Sequence, residues 1–361
     1  MEYLKGTSVF CGIGNSIEEI CKHLDEAAAN GVTILFTSLQ LPEADKDILL
    51  RDFPKMTEHA HKLGIKVDTD ISRWSAEYFG IDYKNLKEIK KLGVDIVRLD
   101  FGFKLEETAQ MTFNEEGLEI EMNATDITEE KLQKLCSYPL NKENLRFCHN
   151  YYPMPYTGQS YEETLHFNSL IHKYGFKVAG FIPSNTHHRI GCSRGLPTME
   201  HQRYQSTRIN VQEGYLCGFD DILFGDDFAS KEELETLNKF NKGLTVFRMK
   251  PIIKGEIIDW FKDRVLYNQT YNINQIIRVW ERMKCPYNVD DIPLRQCTRG
   301  AVAIIKSNGD YKRHQGVIFI SKVDLPLDDN FAVIGYINEE DLILVDRYTV
   351  LGNDLMFEIE E

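Results

Sequence analysis

The chain has 361 residues, a formal net charge of −14, 42% hydrophobic residues and 27% charged ones. This is the composition of an ordinary globular protein long enough for two domains. It shows no basic stripe, which excludes a nucleic-acid binder and disfavours an anionic membrane surface. An anionic small substrate stays open, because a local cluster of Arg and His can override the global charge.

The first 240 residues repeat one unit, a short apolar or alternating strand followed by a helical pattern. Strands are expected at residues 7–11, 32–37, 66–71, 95–101, 118–123, 145–150, 177–182 and 221–224. Capping boxes at Ser16 with Glu19, Ser160 with Glu163 and Ser230 with Glu233 open helices. Gly31, Gly64, Gly93, Gly175 and Gly243 stand where helices should stop. Further helices are expected at 45–63, 85–92, 128–137 and 198–211, with at most a short one at 105–111. Eight such units match a (β/α)8 TIM barrel, class α/β, over residues 1–243. A doubly wound open sheet is the runner-up, but no GxGxxG follows the first strand. After Gly243 the pattern changes to short β-like runs at 257–258, 301–305, 316–320, 331–337 and 342–344 with turn signals between them. Residues 244–361 therefore read as a smaller, mostly-β domain.

The eight cysteines, Cys11, Cys21, Cys136, Cys148, Cys192, Cys217, Cys285 and Cys297, form no CxxC pair and no zinc spacing. With no signal-peptide core at the N-terminus and no run of transmembrane length, the chain reads as cytoplasmic, with no metal.

The strands carry charge at every second position. Lys66, Asp68 and Asp70 share one strand face, as do Arg98 and Asp100, and Glu119, Glu121 and Asn123. Helices on the outside of a barrel turn that charged face inward. Barrel active sites lie at the C-terminal strand ends, so the candidates are Asp68, Asp70, Asp100, Glu121, Asn123, the His149-Asn150-Tyr151-Tyr152 run, Asp226 and Asp227. Carboxylates on neighbouring strands suit acid–base cleavage of a glycoside. The plain alternative is core pairing, Lys66 with Asp68 and Arg98 with Asp100 or Glu119. Glu119 lies deepest, which favours pairing there. The long loop Ser184–Pro197 is rich in donors and glycine and suits a phosphate; Arg194, His201 and Arg203 are its candidate ligands. Aromatic and amide groups after strand six suit a sugar.

Several segments together are similar to one known family. They are Arg98-Leu99-Asp100-Phe101-Gly102-Phe103, Glu119-Ile120-Glu121-Met122-Asn123-Ala124, His149-Asn150-Tyr151-Tyr152-Pro153 with Thr157-Gly158, Gly195 to Arg203, and Ile222 to Ser230. They resemble the bacterial 6-phospho-N-acetylmuramidases. The resemblance implies a TIM barrel followed by a cyclophilin-like β-barrel. It implies an intracellular exo-glycosidase of peptidoglycan recycling. Such an enzyme cleaves N-acetylmuramic acid 6-phosphate–N-acetylglucosamine, a phosphorylated amino-sugar disaccharide, and uses no cofactor. Asp68, Arg98, Asp100, Glu121, Asn123, His149, Asn150, Tyr152, Glu200, His201 and Arg203 fall on family motif positions; Asp70, Asp226 and Asp227 do not. On this reading Asp100 and Glu121 are the catalytic pair, with Asp68 in reserve. Arg98, Asn123, His149, Asn150, Tyr152 and Glu200 hold the sugar, and Arg194, His201 and Arg203 hold the phosphate. The rivals are a sugar-phosphate aldolase with Lys66 as its amine and a non-catalytic phosphosugar binder. A homodimer is compatible with the sequence.

Overall fold

The computed structural model describes residues 3–72, 76, 80, 82, 85–100, 102–268, 274–348 and 353–361. The chain divides into two units, one ending at Lys239 and the other starting at Phe240. In the first, strands and helices alternate: β1 (Lys5–Ser8), α1 (Ile17–Ala29), β2 (Ile34–Ser38), α2 (Lys46–Lys62), β3 (Lys66–Ile71), α3 (Leu86–Lys91), β4 (Ile96–Leu99), α4 (Leu105–Met111), β5 (Glu119–Asn123), α5 (Glu129–Cys136), β6 (Leu145–Cys148), α6 (Tyr161–Lys173), β7 (Val178–Ile182), α7 (Thr207–Cys217), β8 (Asp221–Asp227) and α8 (Lys231–Lys239). The strands pair in chain order, and β1 pairs in parallel with β8, closing an eight-stranded barrel. The expected TIM barrel is therefore present. Phe101, the expected end of strand four, lies outside the described residues.

The local signals act as read. Ser16 and Glu19, and Ser160 and Glu163, form reciprocal capping boxes, and Ser230 and Glu233 bond each other's backbone N–H. Gly93 ends α3 at φ 84°, where a Cβ would meet Thr57 Oγ1 at 2.4 Å, so only glycine fits. The helix expected at 198–211 is a correction. Thr198 and Met199 are extended, bonded to Phe181 and bridged to Gln159. Only a 3-10 turn follows at Glu200–Tyr204, and α7 starts after the extended Ser206. Backbone partners from β7 and the β6 loop outcompete the helical pattern there.

The barrel interior holds two groups of different chemistry. Phe10, Phe36, Phe181 and Leu223 form an apolar cluster with Tyr151 packed against it. A row of cross-strand partners, Asp70–Arg98–Glu121–Arg146, runs over β3 to β6 with alternating charge. Barrel shear makes such a row descend. It starts near the C-terminal end of β3 and finishes deep in β6. There Arg146 donates from Nε to Glu121 Oε2 (2.9 Å) and from Nη2 to Asp221 Oδ2 (2.6 Å), with Glu119 at 3.7 Å. Arg146, Glu121 and Asp221 are all buried.

The second unit contains β9 (Leu244–Pro251), α9 (Glu256–Asp259), β10 (Ile276–Arg278), β11 (Ala301–Ile305), β12 (Ile318–Ser321), β13 (Phe331–Ile337), α10 (Leu342–Arg347) and β14 (Asp354–Ile359). Its six strands form one sheet in the order β10-β12-β11-β13-β9-β14. Bridges Leu266↔Leu355 and Asn268↔Val279 link one short segment to both sides of that sheet, giving it a half-barrel form. Residues 257–258 and 342–344, expected as strands, are helical; short apolar runs do not distinguish the two by period. All eight cysteines are free. No helix among the described residues is long and apolar enough to cross a membrane.

Replacing Arg146 by Ala strands two buried carboxylates. Urea denaturation should show a loss of about 3–5 kcal/mol. Lys66→Ala breaks only an exposed pair with Glu119 and should cost under about 1 kcal/mol.

Candidate active site

The C-terminal rim of β2 to β6 gathers polar groups that the strand period aims inward. Asp70 is the fifth residue of β3, and Ser38, its register partner, ends β2. Asp100 follows β4, two positions beyond Arg98, and takes a backbone bond from its N–H to Ile71 O (3.0 Å). Gln40, just past β2, donates from Nε2 to Asp100 Oδ2 (3.1 Å). Gln40 therefore sits between two part-exposed carboxylates, bonded to Asp100 and close enough to Asp70 to lower its carboxyl. Arg98 supplies the counter-charge. Its Nη2 donates to Asn150 Oδ1 (2.5 Å), which also accepts from Asn123 Nδ2 (3.1 Å).

Both rim carboxyls lie above the usual carboxylate range. Burial raises Asp70; Ser38, Gln40 and Arg98 pull it back, and Asp100 pushes it up again. Burial raises Asp100, against Arg98 and Gln40. Burial together with a neighbouring acid, as at Asp70, is an arrangement that keeps a general acid protonated towards neutrality.

The structure brings Asp70, Asp100, Arg98, Asn123 and Asn150 together and places other expected residues elsewhere. Glu121 is fully buried one layer down, in the ion pair with Arg146 rather than at the rim with Asp100. Asp68 is buried beside it, one turn of the pleat below Asp70; its Oδ1 has no hydrogen-bond partner. Burial, then Glu121, holds the Asp68 carboxyl well above its usual range. His149 faces away from the barrel: it is buried, its Nε2 meets Asn168 Oδ1 on α6 (2.8 Å), and burial lowers it to about 4. Strand alternation explains this, since Asn150 takes the inward face. Tyr152 is part-exposed after β6 and bonds Thr125.

The three expected phosphate ligands also separate. Arg203 has a fully buried side chain that donates to Glu200 and to the carbonyls of Tyr152 (2.6 Å), Gly195 (2.6 Å), Arg194 (3.3 Å) and Met154 (3.2 Å). Glu200 in turn accepts from the N–H groups of Tyr156 (2.7 Å) and Gly158 (2.8 Å). Both residues are therefore loop clamps. His201 is held by Glu213 at 2.8 Å, and Arg194 is exposed. Lys66, the amine of the aldolase reading, lies at the N-terminal end of β3, half-exposed and 2.7 Å from Glu119, at the wrong end of the barrel.

One residue not singled out from the sequence, Arg189, completes the face, and the two acids expected at the end of β8 take separate places. Arg189 stacks on Phe10 and Tyr151 with its guanidinium 5.1 and 5.5 Å from their centroids, and donates to Tyr151 Oη (3.1 Å). Only the loop that carries it was legible. Asp226 faces outward and accepts from the N–H groups of Ser184, Arg189 and Leu196, shaping that loop. Asp227 is buried with neither oxygen hydrogen-bonded. It borders a cleft of about 500 Å³ whose other walls include the cationic or imidazole side chains of Lys22, His187, His188 and Lys231 and the carboxylates of Glu19 and Glu26. No cluster of three or more metal-ligating side chains occurs among the described residues.

The mouth of this TIM barrel holds two carboxyls, an arginine and amides, groups of the kind that acid–base chemistry on a polar small molecule needs. The chain belongs to the 6-phospho-N-acetylmuramidase family: the profile of that family's N-terminal part matches residues 5–239. Its full length also superposes on an uncharacterized B. cereus protein with a TM-score of 0.81 and 25% identity, covering all of both chains. A conserved protein of unknown function from Enterococcus faecalis has the same fold, with a TM-score of 0.67, 24% identity, and 99% and 96% coverage of the two chains. None of the curated proteins compared with the chain matches it.

Burial raises Asp227 to about 7; Arg189 opposes this and Asp226 adds to it. An unfolded aspartate titrates near pH 4. From about pH 4 to 7 the folded chain therefore keeps a proton that the unfolded chain releases, and stability falls as pH rises. Asp227→Asn should gain melting temperature on the wild type across that window and hold a constant lead above it.

Proposed function

We propose that the protein hydrolyses the glycosidic bond between N-acetylmuramic acid 6-phosphate and N-acetylglucosamine, as a cytoplasmic enzyme of peptidoglycan recycling. Family membership supports the substrate class. The observation that carries the chemistry is the pair of raised carboxyls, Asp70 and Asp100, that flank Gln40 at the mouth. In this reading Asp100 and Asp70 form the working pair, in place of Asp100 with Glu121. One protonates the leaving sugar oxygen. The other acts as nucleophile or base, or steers the substrate's own acetamido group. Arg98, Asn123 and Asn150 hold the ring, with Tyr152 at its edge. Glu121, paired with Arg146, and the buried Asp68 form the floor beneath the site. The 6-phosphate is assigned to the Lys22, His187, His188 and Lys231 side of the cleft beside the loops that follow β7 and β8, away from Glu19 and Glu26. The second unit is read as the family's cyclophilin-like domain, which implies no prolyl isomerase activity.

The test is incubation with the disaccharide bearing and lacking the 6-phosphate, with mass analysis of the products. The wild type should release N-acetylglucosamine from the phosphorylated form only. Asp100→Asn and Asp70→Asn should each lower turnover by about 10²–10⁴-fold while keeping the fold. A variant retaining wild-type turnover removes that residue from the pair. Lys22→Ala with His188→Ala should raise KM for the phosphorylated substrate and narrow its preference over the unphosphorylated one.

A further inference from the structure

The loop after β6 holds a tyrosine in a conformation that its side chain disfavours. In Met154-Pro155-Tyr156-Thr157, proline takes the second position and Tyr156 the third, with φ 71°. Thr157 Oγ1 donates back to Met154 O (2.6 Å). This is the pattern of a type II turn, whose third position ordinarily belongs to Gly or Asn. Phe228 also has positive φ, but its ring packs 4.8 Å from that of His23. Tyr156 is 87% exposed, so little packing within the chain explains its ring. An observed backbone outlier of this kind is a pointer to function.

The loop is also fixed to the candidate active site. The backbone N–H groups of Tyr156 and Gly158 are both held by the Glu200 carboxylate, which Arg203 locks from behind. A Cβ at Gly158 would meet the Glu200 backbone at 2.9 Å. Glu200 N–H donates to Gln159 O (2.9 Å), and Gln159 N–H to Thr198 O (3.0 Å). Thr198 Oγ1 donates to Asn150 O (2.9 Å), the residue whose side chain receives Arg98 in the mouth. Met154 and Tyr204, 65% and 63% exposed, ride on the same clamp.

Resting on the glycosidase reading above, we infer that Tyr156 is a stacking platform for the leaving-side pyranose. The apolar C–H face of a sugar ring matches a flat aromatic face, while its hydroxyls stay in water. A rigid platform tied to Asn150 would register that ring against the cleaved bond and lose little entropy on binding.

The experiment measures both binding and turnover for two probes. One is the phosphorylated disaccharide; the other is the methyl β-glycoside of N-acetylmuramic acid 6-phosphate, which lacks the second ring. Wild type, Tyr156→Gly and Tyr156→Phe are compared by calorimetry and product analysis. Tyr156→Gly suits positive φ and should hold or raise the melting temperature, so its losses are not unfolding. It should weaken disaccharide binding by roughly tenfold and leave the methyl glycoside unchanged, with Tyr156→Phe like wild type. Turnover without this selective loss overturns the platform and leaves the glycosidase standing. Selective loss of binding without turnover by the wild type keeps the platform and overturns the cleavage. Equal loss for both probes, no binding by the wild type, or a dimer that Tyr156→Gly splits, overturns the platform.

Discussion

Two arginines inside a closed barrel constrain everything above them. Arg98 and Arg146 sit among Asp68, Glu121 and Asp221 where little water reaches, so each charge must find a partner. The cross-strand row Asp70–Arg98–Glu121–Arg146 meets that need by alternation, one charge per strand. Because the barrel is sheared, the row descends. Its lower end closes on Asp221 and becomes a floor; its upper end stays open at Asp70.

The same geometry separates residues of identical chemistry. Glu121 and Asp100 are both inward-facing acids on adjacent strands, yet one is committed to Arg146 and the other meets the Gln40 amide. Asp68 and Asp70 share a strand face, yet two residues of rise carry Asp70 to the rim, where Gln40 and Ser38 reach it. Height in the barrel, rather than residue type, divides floor from working surface. A similar division holds in the loops: Arg203 and Glu200 are spent on carbonyls and N–H groups that fix the β6 and β7 connections.

Those clamps matter because the mouth is made of loops that regular hydrogen bonding does not organise. Asp226 gathers three N–H groups of the loop after β7, and Glu233 takes further donors from Ser184, Asn185 and Thr186. Buried carboxylates that accept several backbone bonds act as loop cores where apolar side chains are few. Arg189 and Tyr151 are set by that scaffold, and the cleft beside Asp227 borders the same loop.

Residue order alone determined the eight strand–helix units, their capping boxes and the inward charge of β3, β4 and β5, because those features follow from local periods of 2 and 3.6. It also located the mouth face, since closure places the C-terminal strand ends together. Membership in the 6-phospho-N-acetylmuramidase family was legible in scattered motifs. The assignment of each acid was not. Whether Glu121 or Asp70 reaches the rim depends on barrel shear. His149 turns outward by the alternation that turns Asn150 inward, and Arg203 is consumed by carbonyls far away in sequence. These are register and packing outcomes between segments tens of residues apart, and only the closed barrel decides them.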